Sequence, residues 1–490
     1  MLITKPHAAL LASPGMGHLI PMVELGKRLL TLHGFDVSIF VVTTDSSTTR
    51  SQILQQTSNQ SSLNVVMLPP VDVSSKLGPN PPLEVGIHLA MAESLPLLRS
   101  AILSMKVVPT VLIIDLFGIL VLPMSRDLGM LNYVFMTSNA WFTATITYAP
   151  VIDKDMEDRH VNNREPLFIP GCKPVQYEDT LEPFVLRGQP MYEGFIKATK
   201  DIISVDGILI NTWHDLEPTT IKALRDSEHL GWISKGPVYP VGPLVRTVTP
   251  RSGTEHGHGA EVKVDEVLRW LDGQPTESVI YVSFGSGGTL SAEQITELAW
   301  ALELSRQRFV WVVRPPNGSA SGTFFDVANG GDGTPGYLPE GFVKRTHNVG
   351  LVVPMWAPQA EILAHPSTGG FITHCGWNST LESIINGVPM VAWPLYAEQK
   401  MNAAMLAEEL GVAVRAKGTE GVVGREQILK LVRRIMVEKE GKAMREKVKE
   451  LKRSGDKALS NVGSSYNSLS QATKDLENYL LEKSRGASAS

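Results

Sequence analysis

The sequence predicts an α/β protein made of two α/β domains, and three observations carry that expectation. At 490 residues the chain is longer than one hydrophobic core usually organises. Short apolar runs alternate with helical patterns through both halves, the βαβα order that builds parallel sheets. Each half also opens with an apolar run that breaks at a glycine-rich turn into a helix. The turns are Pro14-Gly15-Met16-Gly17-His18 and Gly285-Ser286-Gly287-Gly288-Thr289.

Composition narrows the function class. The chain is 43% hydrophobic and 19% charged with a net charge of −5, and it has no large basic block, so nucleic acid is a poor partner. Two cysteines, Cys172 and Cys375, cannot form a disulfide framework and point to a reducing compartment, the cytoplasm. No CxxC or HExxH spacing suggests a metal. The N-terminus has one early lysine and an apolar run, residues 8–12, too short for a signal peptide. Residues 107–124 are apolar enough to raise a membrane helix. Pro109, Asp115, Gly118 and Pro123 argue instead for a buried strand leading into a helix, so no membrane span is expected. Sequons at Asn59, Asn317 and Asn378 imply no glycosylation if the chain never enters the secretory route.

In the first half, residues 7–13 read as a strand, the turn at Gly15 and Gly17 lets a ligand approach backbone, and a helix follows over 19–32. His18 then stands at a helix start, at the carboxyl end of the first strand. A bare tight βα turn accounts for the same residues. Strands are expected at 35–43, 64–68 and 111–114, loops at 55–62 and 69–82, and a helix at 83–105. Asp115 ends the 111–114 strand at the same sheet edge as His18. The two could form a His–Asp dyad, or Asp115 could cap the following helix. A strand at 133–136 leads to Ser138, Asn139, Trp141 and Phe142. Residues 151–190 read as loop-rich, with a helix at 191–203, a strand at 206–212 and a helix at 216–224. The first domain ends near 238–244, so it spans residues 1–245.

Residues 246–263 are polar and fit a linker. His256 and His258 there lack the cysteine or carboxylate neighbours of a metal site. The second domain, 264–464, opens with a helix at 266–271 and a strand at 278–284. The Gly285–Thr289 turn and a helix from Ala292 follow. The turn is not GxSxG, which disfavours a hydrolase nucleophile. A strand at 309–313, a Gly/Ser/Asp-rich surface loop at 317–336 and a strand at 350–354 lead to Trp356. Beyond Gln399 the pattern gives a helix at 402–410, a short strand at 413–414, and helices at 425–437 and 441–459. A last helix, 465–481, precedes a frayed tail.

The richest stretch is 356–399, WAPQAEILAHPSTGGFITHCGWNSTLESIINGVPMVAWPLYAEQ. A short helix over 358–363 is followed by a buried strand, 369–373. This breaks at His374-Cys375-Gly376-Trp377 into a helix with Asn378, Ser379 and Thr380 at its start and Glu382 in its first turn. Strand, glycine turn and helix N-terminus present free N–H groups and the positive dipole end to an anion. A second strand, 388–393, ends in Pro394-Leu395-Tyr396-Ala397-Glu398-Gln399, at the edge where open α/β sheets bind ligands. Trp377 and Trp393 could equally be core aromatics, Cys375 reads as packing, and His365 as a packed histidine.

This stretch resembles the 44-residue signature box of plant family-1 UDP-glycosyltransferases, with its WAPQ start, HCGWNS centre and closing Gln. The resemblance covers almost the entire chain and implies the GT-B fold: two Rossmann-like domains facing each other across a cleft. Residues 1–245 would bind the acceptor and 264–464 the UDP-sugar, with the helix of 465–490 crossing back to the first domain. It implies an inverting transfer of glucose from UDP-glucose by a cytoplasmic monomer that needs neither cofactor nor metal. His18, in the GMGH turn, is the implied base and Asp115 its partner. Trp356 would stack on uracil while the Ala357 backbone reads its edge, and Gln359 and Glu382 would hold the ribose. Ser286, His374, Asn378 and Ser379 would hold the diphosphate, and Trp377, Glu398 and Gln399 the sugar. Gln399 is the form associated with glucose donors. A threonine of similar enzymes that touches the donor sugar aligns with Ser138, with Thr137 beside it.

Within the family the chain is most similar to the subgroup acting on phenylpropanoids such as coniferyl and sinapyl alcohol. The shared segments include SPGMGH, IIDLFG, IPGCKPV, FGSGGTLS and WPLYAEQ. Phe117, Trp141, Phe142, Tyr148 and Tyr396 could line a flat aromatic pocket for a planar phenol. The alternative acceptors are hydroquinone, flavonoid or foreign phenols. A non-catalytic UDP-sugar-binding protein would tolerate loss of His18 or Asp115, and both are present. A dinucleotide dehydrogenase would need GxGxxG, and SPGMGH lacks the third glycine in register.

Overall fold

The computed structural model describes residues 5–44, 63–77, 83–246, 260–316, 337–416 and 421–487. The expected loops at 55–62 and 317–336, the sequons at Asn59 and Asn317, residues 247–259 of the linker with His256 and His258, and the last residues of the tail lie outside them; residues 260–263, expected as linker, instead open the helix Ala260–Asp272. The chain divides into two compact units: Met1–Val245 with Gly455–Ser490, and Arg246–Ser454.

In the first unit the described strands are β1 (His7–Ala12), β2 (Asp36–Val41), β3 (Asn64–Met67), β4 (Val111–Ile114), β5 (Leu131–Met136), β6 (Gly207–Ile210) and β7 (Val238–Pro240). They form one parallel sheet of order β3-β2-β1-β4-β5-β6-β7. Strands β1, β4 and β5 are mostly apolar because helices cover both sheet faces, and nearly every residue in them is buried. The 107–124 run resolves as β4, a 3₁₀ turn (Leu116–Val121) and a short helix (Leu122–Asp127). Among the described residues no helix is long and apolar enough to cross a membrane.

The second unit repeats the plan with β8 (Val279–Ser283), β9 (Arg308–Val313), β10 (Gly350–Pro354), β11 (Thr368–Thr373), β12 (Met390–Ala392) and β13 (Ala413–Arg415). These also run parallel, in the order β10-β9-β8-β11-β12-β13. Both units are therefore Rossmann-like.

Two further stretches differ from the sequence reading. Residues 151–190 are loop-rich beyond Asn163, but they also hold a helix, Lys154–Asn163, capped by the Asp153 carboxylate accepting from Met156 N–H. Its inward face is polar, which hid it from a search for apolar periodicity. Glu157 and His160 are 2% and 0% exposed, and both are bonded. Tyr192 Oη donates to Glu157 at 2.7 Å, while His160 Nε2 meets Thr180 Oγ1 at 2.9 Å. The helix expected over 402–410 starts earlier, at Gln399–Ala404, and widens into a π-turn over Met405–Glu409.

The C-terminal helix, Ser464–Ala487, closes the core of the first unit beside β7. Leu469, Ala472 and Leu476 join the cluster that contains Leu10, Phe35 and Tyr239. Tyr239 Oη bonds Asp475 Oδ2 at 2.5 Å, and Ser465 Oγ donates to the Gly242 carbonyl at 2.5 Å. Truncating Leu476, 4% exposed, removes packing that its neighbours cannot refill. Leu476→Ala should cost about 3 kcal/mol in denaturant unfolding of this unit; a loss below about 1 kcal/mol would mean the helix is not part of that core.

Candidate functional site

A parallel sheet opens a crevice where the chain leaves a central strand to one side and later returns on its other side. In the first unit that point lies between β1 and β4. The turn after β1 delivers His18, in the first turn of the helix Met16–His33, and β4 delivers Asp115. His18 Nδ1 lies 3.3 Å from Asp115 Oδ2. Both sequence readings of Asp115 hold at once, on different oxygens. Oδ1 caps the 3₁₀ turn, accepting from Phe117 N at 3.1 Å and Gly118 N at 3.2 Å. Oδ2 faces His18 and also accepts from the Ser13 backbone N at 2.8 Å and Ser13 Oγ at 2.5 Å. Burial of the fully enclosed Asp115 opposes its ionisation, but the bonds from His18 and Ser13 outweigh it and hold the carboxyl below its usual range.

Ser13 was invisible to motif reading, as the last residue of an apolar run. Thr137 was the undecided alternative to Ser138. Its Oγ1 lies 3.4 Å from His18 Nδ1, whereas Ser138 is 6% exposed. The hydroxyl beside the imidazole is that of Thr137. Among the aromatic candidates, Phe117 packs edge-on against His18, ring centroids 5.4 Å apart. Trp141 and Phe142 are buried in the helix Ala140–Tyr148, and Tyr148 is half-buried. Tyr396 belongs to the other unit.

In the second unit the reversal lies between β8 and β11. The glycine turn after β8 and the His374-Cys375-Gly376 turn after β11 meet there. A Cβ on Gly285 would stand 2.5 Å from His374 Cε1, and one on Gly376 would stand 2.4 Å from His374 Nε2. The imidazole thus occupies the space of two missing side chains. Cys375 takes the left-handed conformation at φ 64°, held by Asn402 Nδ2 donating to its carbonyl at 2.9 Å. Its thiol is fully buried and pushed up to about 12 by that burial, as packing rather than chemistry requires. No side chain caps the helix Trp377–Asn386 that follows, which leaves its first turn suited to an anion. Asn378 and Ser379 lie in that turn.

Around this point the strand ends supply the rest. Trp356, after β10, is 46% exposed, which is unusual for so large an apolar ring, while Ala357 is buried. Gln359 Nε2 donates to Ser379 Oγ at 2.8 Å and to Glu382 Oε2 at 2.7 Å, so these three are one cluster. Gln399 Oε1 accepts from Leu395 N at 2.9 Å and Tyr396 N at 3.1 Å. Those two donors fix the amide and direct its nitrogen away from the backbone. Glu398 stands at the N-terminus of the helix Gln399–Ala404 and Ser286 is exposed in its turn. The indoles of Trp377 and Trp393 are 3% and 9% exposed and pack inside, so a sugar contact at Trp377 would fall to its main chain. His365 is a packed histidine, bonded to Asp272 and accepting from Ser367 N–H. Sequence reading missed Arg314, at the end of β9, because a lone arginine after an apolar strand carries no motif.

Two buried groups have opposite displacements. Burial lowers His374 to about 4, helped by the nearby Arg314 charge, so the ring is neutral; its buried Nδ1 finds no protein partner among the described residues. Burial raises Glu382 to about 7 from 4.5, against the bond from Gln359. The folded state therefore retains a proton on Glu382 between pH 4.5 and 7 that the unfolded chain releases. This contribution to stability is present below pH 4.5 and lost as pH rises through 7. Between about pH 5 and pH 8 the wild-type protein should lose about 2 kcal/mol relative to Glu382→Gln, which cannot titrate. Denaturant unfolding at both pH values measures this, and a constant difference would rule out the buried titration.

A family model described as "UDP-glucoronosyl and UDP-glucosyl transferase" matches residues 246–450, the unit that carries the anion-suited turn. UDP-glycosyltransferase 72E1 of Arabidopsis thaliana is 51% identical over 99% of each chain. Hydroquinone glucosyltransferase of Rauvolfia serpentina is 42% identical over 97% of this chain and 98% of its own. The crystal structure of TcCGT1 in complex with UDP superposes with a TM-score of 0.89 at 46% identity, covering 97% of this chain and all of that one. With this identity along nearly the whole of each chain, the protein belongs to the plant family-1 UDP-glycosyltransferases, and its two Rossmann-like units are the α/β GT-B fold of those enzymes.

Proposed function

We propose that the protein transfers glucose from UDP-glucose, with inversion, to the phenolic hydroxyl of a small aromatic acceptor, a monolignol such as coniferyl or sinapyl alcohol. The observation that carries the reaction is the His18–Asp115 pair at the β1/β4 crevice. A protonated phenol is a weak nucleophile. His18, its Nδ1 turned to Asp115, takes the phenolic proton on Nε2 as the oxygen attacks the anomeric carbon. The new C–O bond forms as the bond to the diphosphate breaks. Asp115 remains ionised and stabilises the imidazolium. UDP leaves with added negative charge, met by the first turn of the helix Trp377–Asn386 and by neutral His374, without a metal.

The geometry is in keeping with these donor roles. Exposed Trp356 offers a face to uracil, and the Gln359–Glu382 pair offers acceptors to the two ribose hydroxyls. Ser286, Asn378 and Ser379 take the diphosphate. The Gln399 amide nitrogen, Glu398 and the Trp377 main chain take the sugar, together with the hydroxyl of Thr137 or Ser138. Phe117 beside His18 supports a planar acceptor. In this reading the first unit binds the acceptor and the second the donor, and the enzyme is a cytoplasmic monomer. A second reading, broad action on hydroquinone, flavonoid or foreign phenols, is favoured by the likeness to a hydroquinone glucosyltransferase.

His18→Ala should abolish transfer, by about 1000-fold or more in kcat, while UDP affinity by calorimetry stays near wild type. Turnover close to wild type would remove His18 from the base role. Gln399→His should weaken use of UDP-glucose; unchanged glucose kinetics would contradict its sugar contact. Mass spectrometry of products from UDP-glucose and a phenol panel decides between the narrow and broad acceptor readings, and the anomeric proton coupling of the product tests inversion.

A further inference from the structure

Arg314 follows β9, the strand flanked in the sheet by β8 on one side and β10 on the other. Its guanidinium reaches sideways in both directions. Nη1 donates to the Ser286 carbonyl in the turn after β8, and Nη2 donates to the Met355 carbonyl after β10 at 3.1 Å. Those two turns are the ones assigned above to opposite ends of UDP. Ser286 belongs to the diphosphate turn, and Met355 immediately precedes Trp356, the exposed uracil platform. The turn at Met355 carries backbone strain that the glycine turn does not. Gly285 and Met355 both adopt left-handed backbone, at φ 78° and 66°, and for Met355 that geometry is unfavourable without support. A planar guanidinium with two diverging N–H groups can hold two carbonyls at a fixed separation, which a single ammonium cannot.

We propose that Arg314 is a positioning residue that sets the distance between the uracil-binding and diphosphate-binding turns, so that one UDP-sugar engages both at once. It need not touch the nucleotide. It acts as a brace between two half-sites, and its contribution appears only in a ligand that spans them. The general physics is that of a bivalent ligand: correct spacing raises the effective concentration of the second contact once the first is made. Its charge has a separate effect on neighbouring His374, and a lysine keeps that effect while losing the fork. The inference rests on the donor-site reading given under Proposed function.

The test compares three ligands on wild-type protein, Arg314→Lys and Arg314→Met, using inhibition or calorimetry. The ligands are uridine, inorganic pyrophosphate and UDP. In Arg314→Lys, uridine and pyrophosphate should bind within about threefold of wild type, whereas UDP should weaken by about tenfold or more, with KM for the UDP-sugar rising more than kcat falls. Arg314→Met should also weaken pyrophosphate, because the charge is gone. Wild-type UDP affinity in Arg314→Lys would overturn the proposal, since charge alone would suffice. Equal losses for all three ligands in Arg314→Lys would also overturn it, since that is the mark of a generally disordered site. A wild-type protein that does not bind UDP would instead defeat the donor-site reading itself, a distinct result.

Discussion

Both units depend on one topological constraint, the reversal of strand order in a parallel sheet. At β1/β4 and again at β8/β11, the two loops that leave neighbouring strands turn to opposite faces. The gap between them cannot be filled by a connecting segment, because no segment passes there. Side chains must line it, and they come from segments far apart in sequence. His18 and Asp115 become neighbours for this reason, as do Gly285 and His374. The chemistry is a consequence of where the chain cannot go.

The polar groups placed in those gaps are settled by hydrogen bonding more than by charge pairing. Asp115 is wholly buried, and its two oxygens together receive donors from Ser13, Phe117, Gly118 and His18. A carboxylate so solvated stays anionic without a lysine or arginine beside it. The second unit takes the opposite course. His374 and Glu382 are buried with few donors or acceptors, and both shift toward their neutral forms. The first gap is thus prepared to stabilise a positive charge on His18, and the second to receive a negative one.

Most strands were legible because apolar runs buried on both faces are unambiguous, as at 111–114 and 279–283. The clusters around Glu382 and His374 were legible through a dense motif. What escaped had physical reasons. The helix Lys154–Asn163 buries hydrogen-bonded polar side chains, so its periodicity looks like surface. Ser13 gains meaning only when β4 lies beside β1, and Arg314 only when β9 lies between β8 and β10. Sheet order is a three-dimensional fact that no single segment encodes. That Thr137 meets His18 depends on the direction of alternate side chains at a strand end, a period-two matter that a shift of one residue inverts.

The fit of His374 between Gly285 and Gly376 has a bearing on redesign. Three positions, one of them far from the other two in sequence, share one volume. A smaller residue at 374 leaves voids at both glycines, and a side chain at either glycine evicts the ring. A change of residue size at any one of the three therefore misfills the shared volume unless a second changes with it.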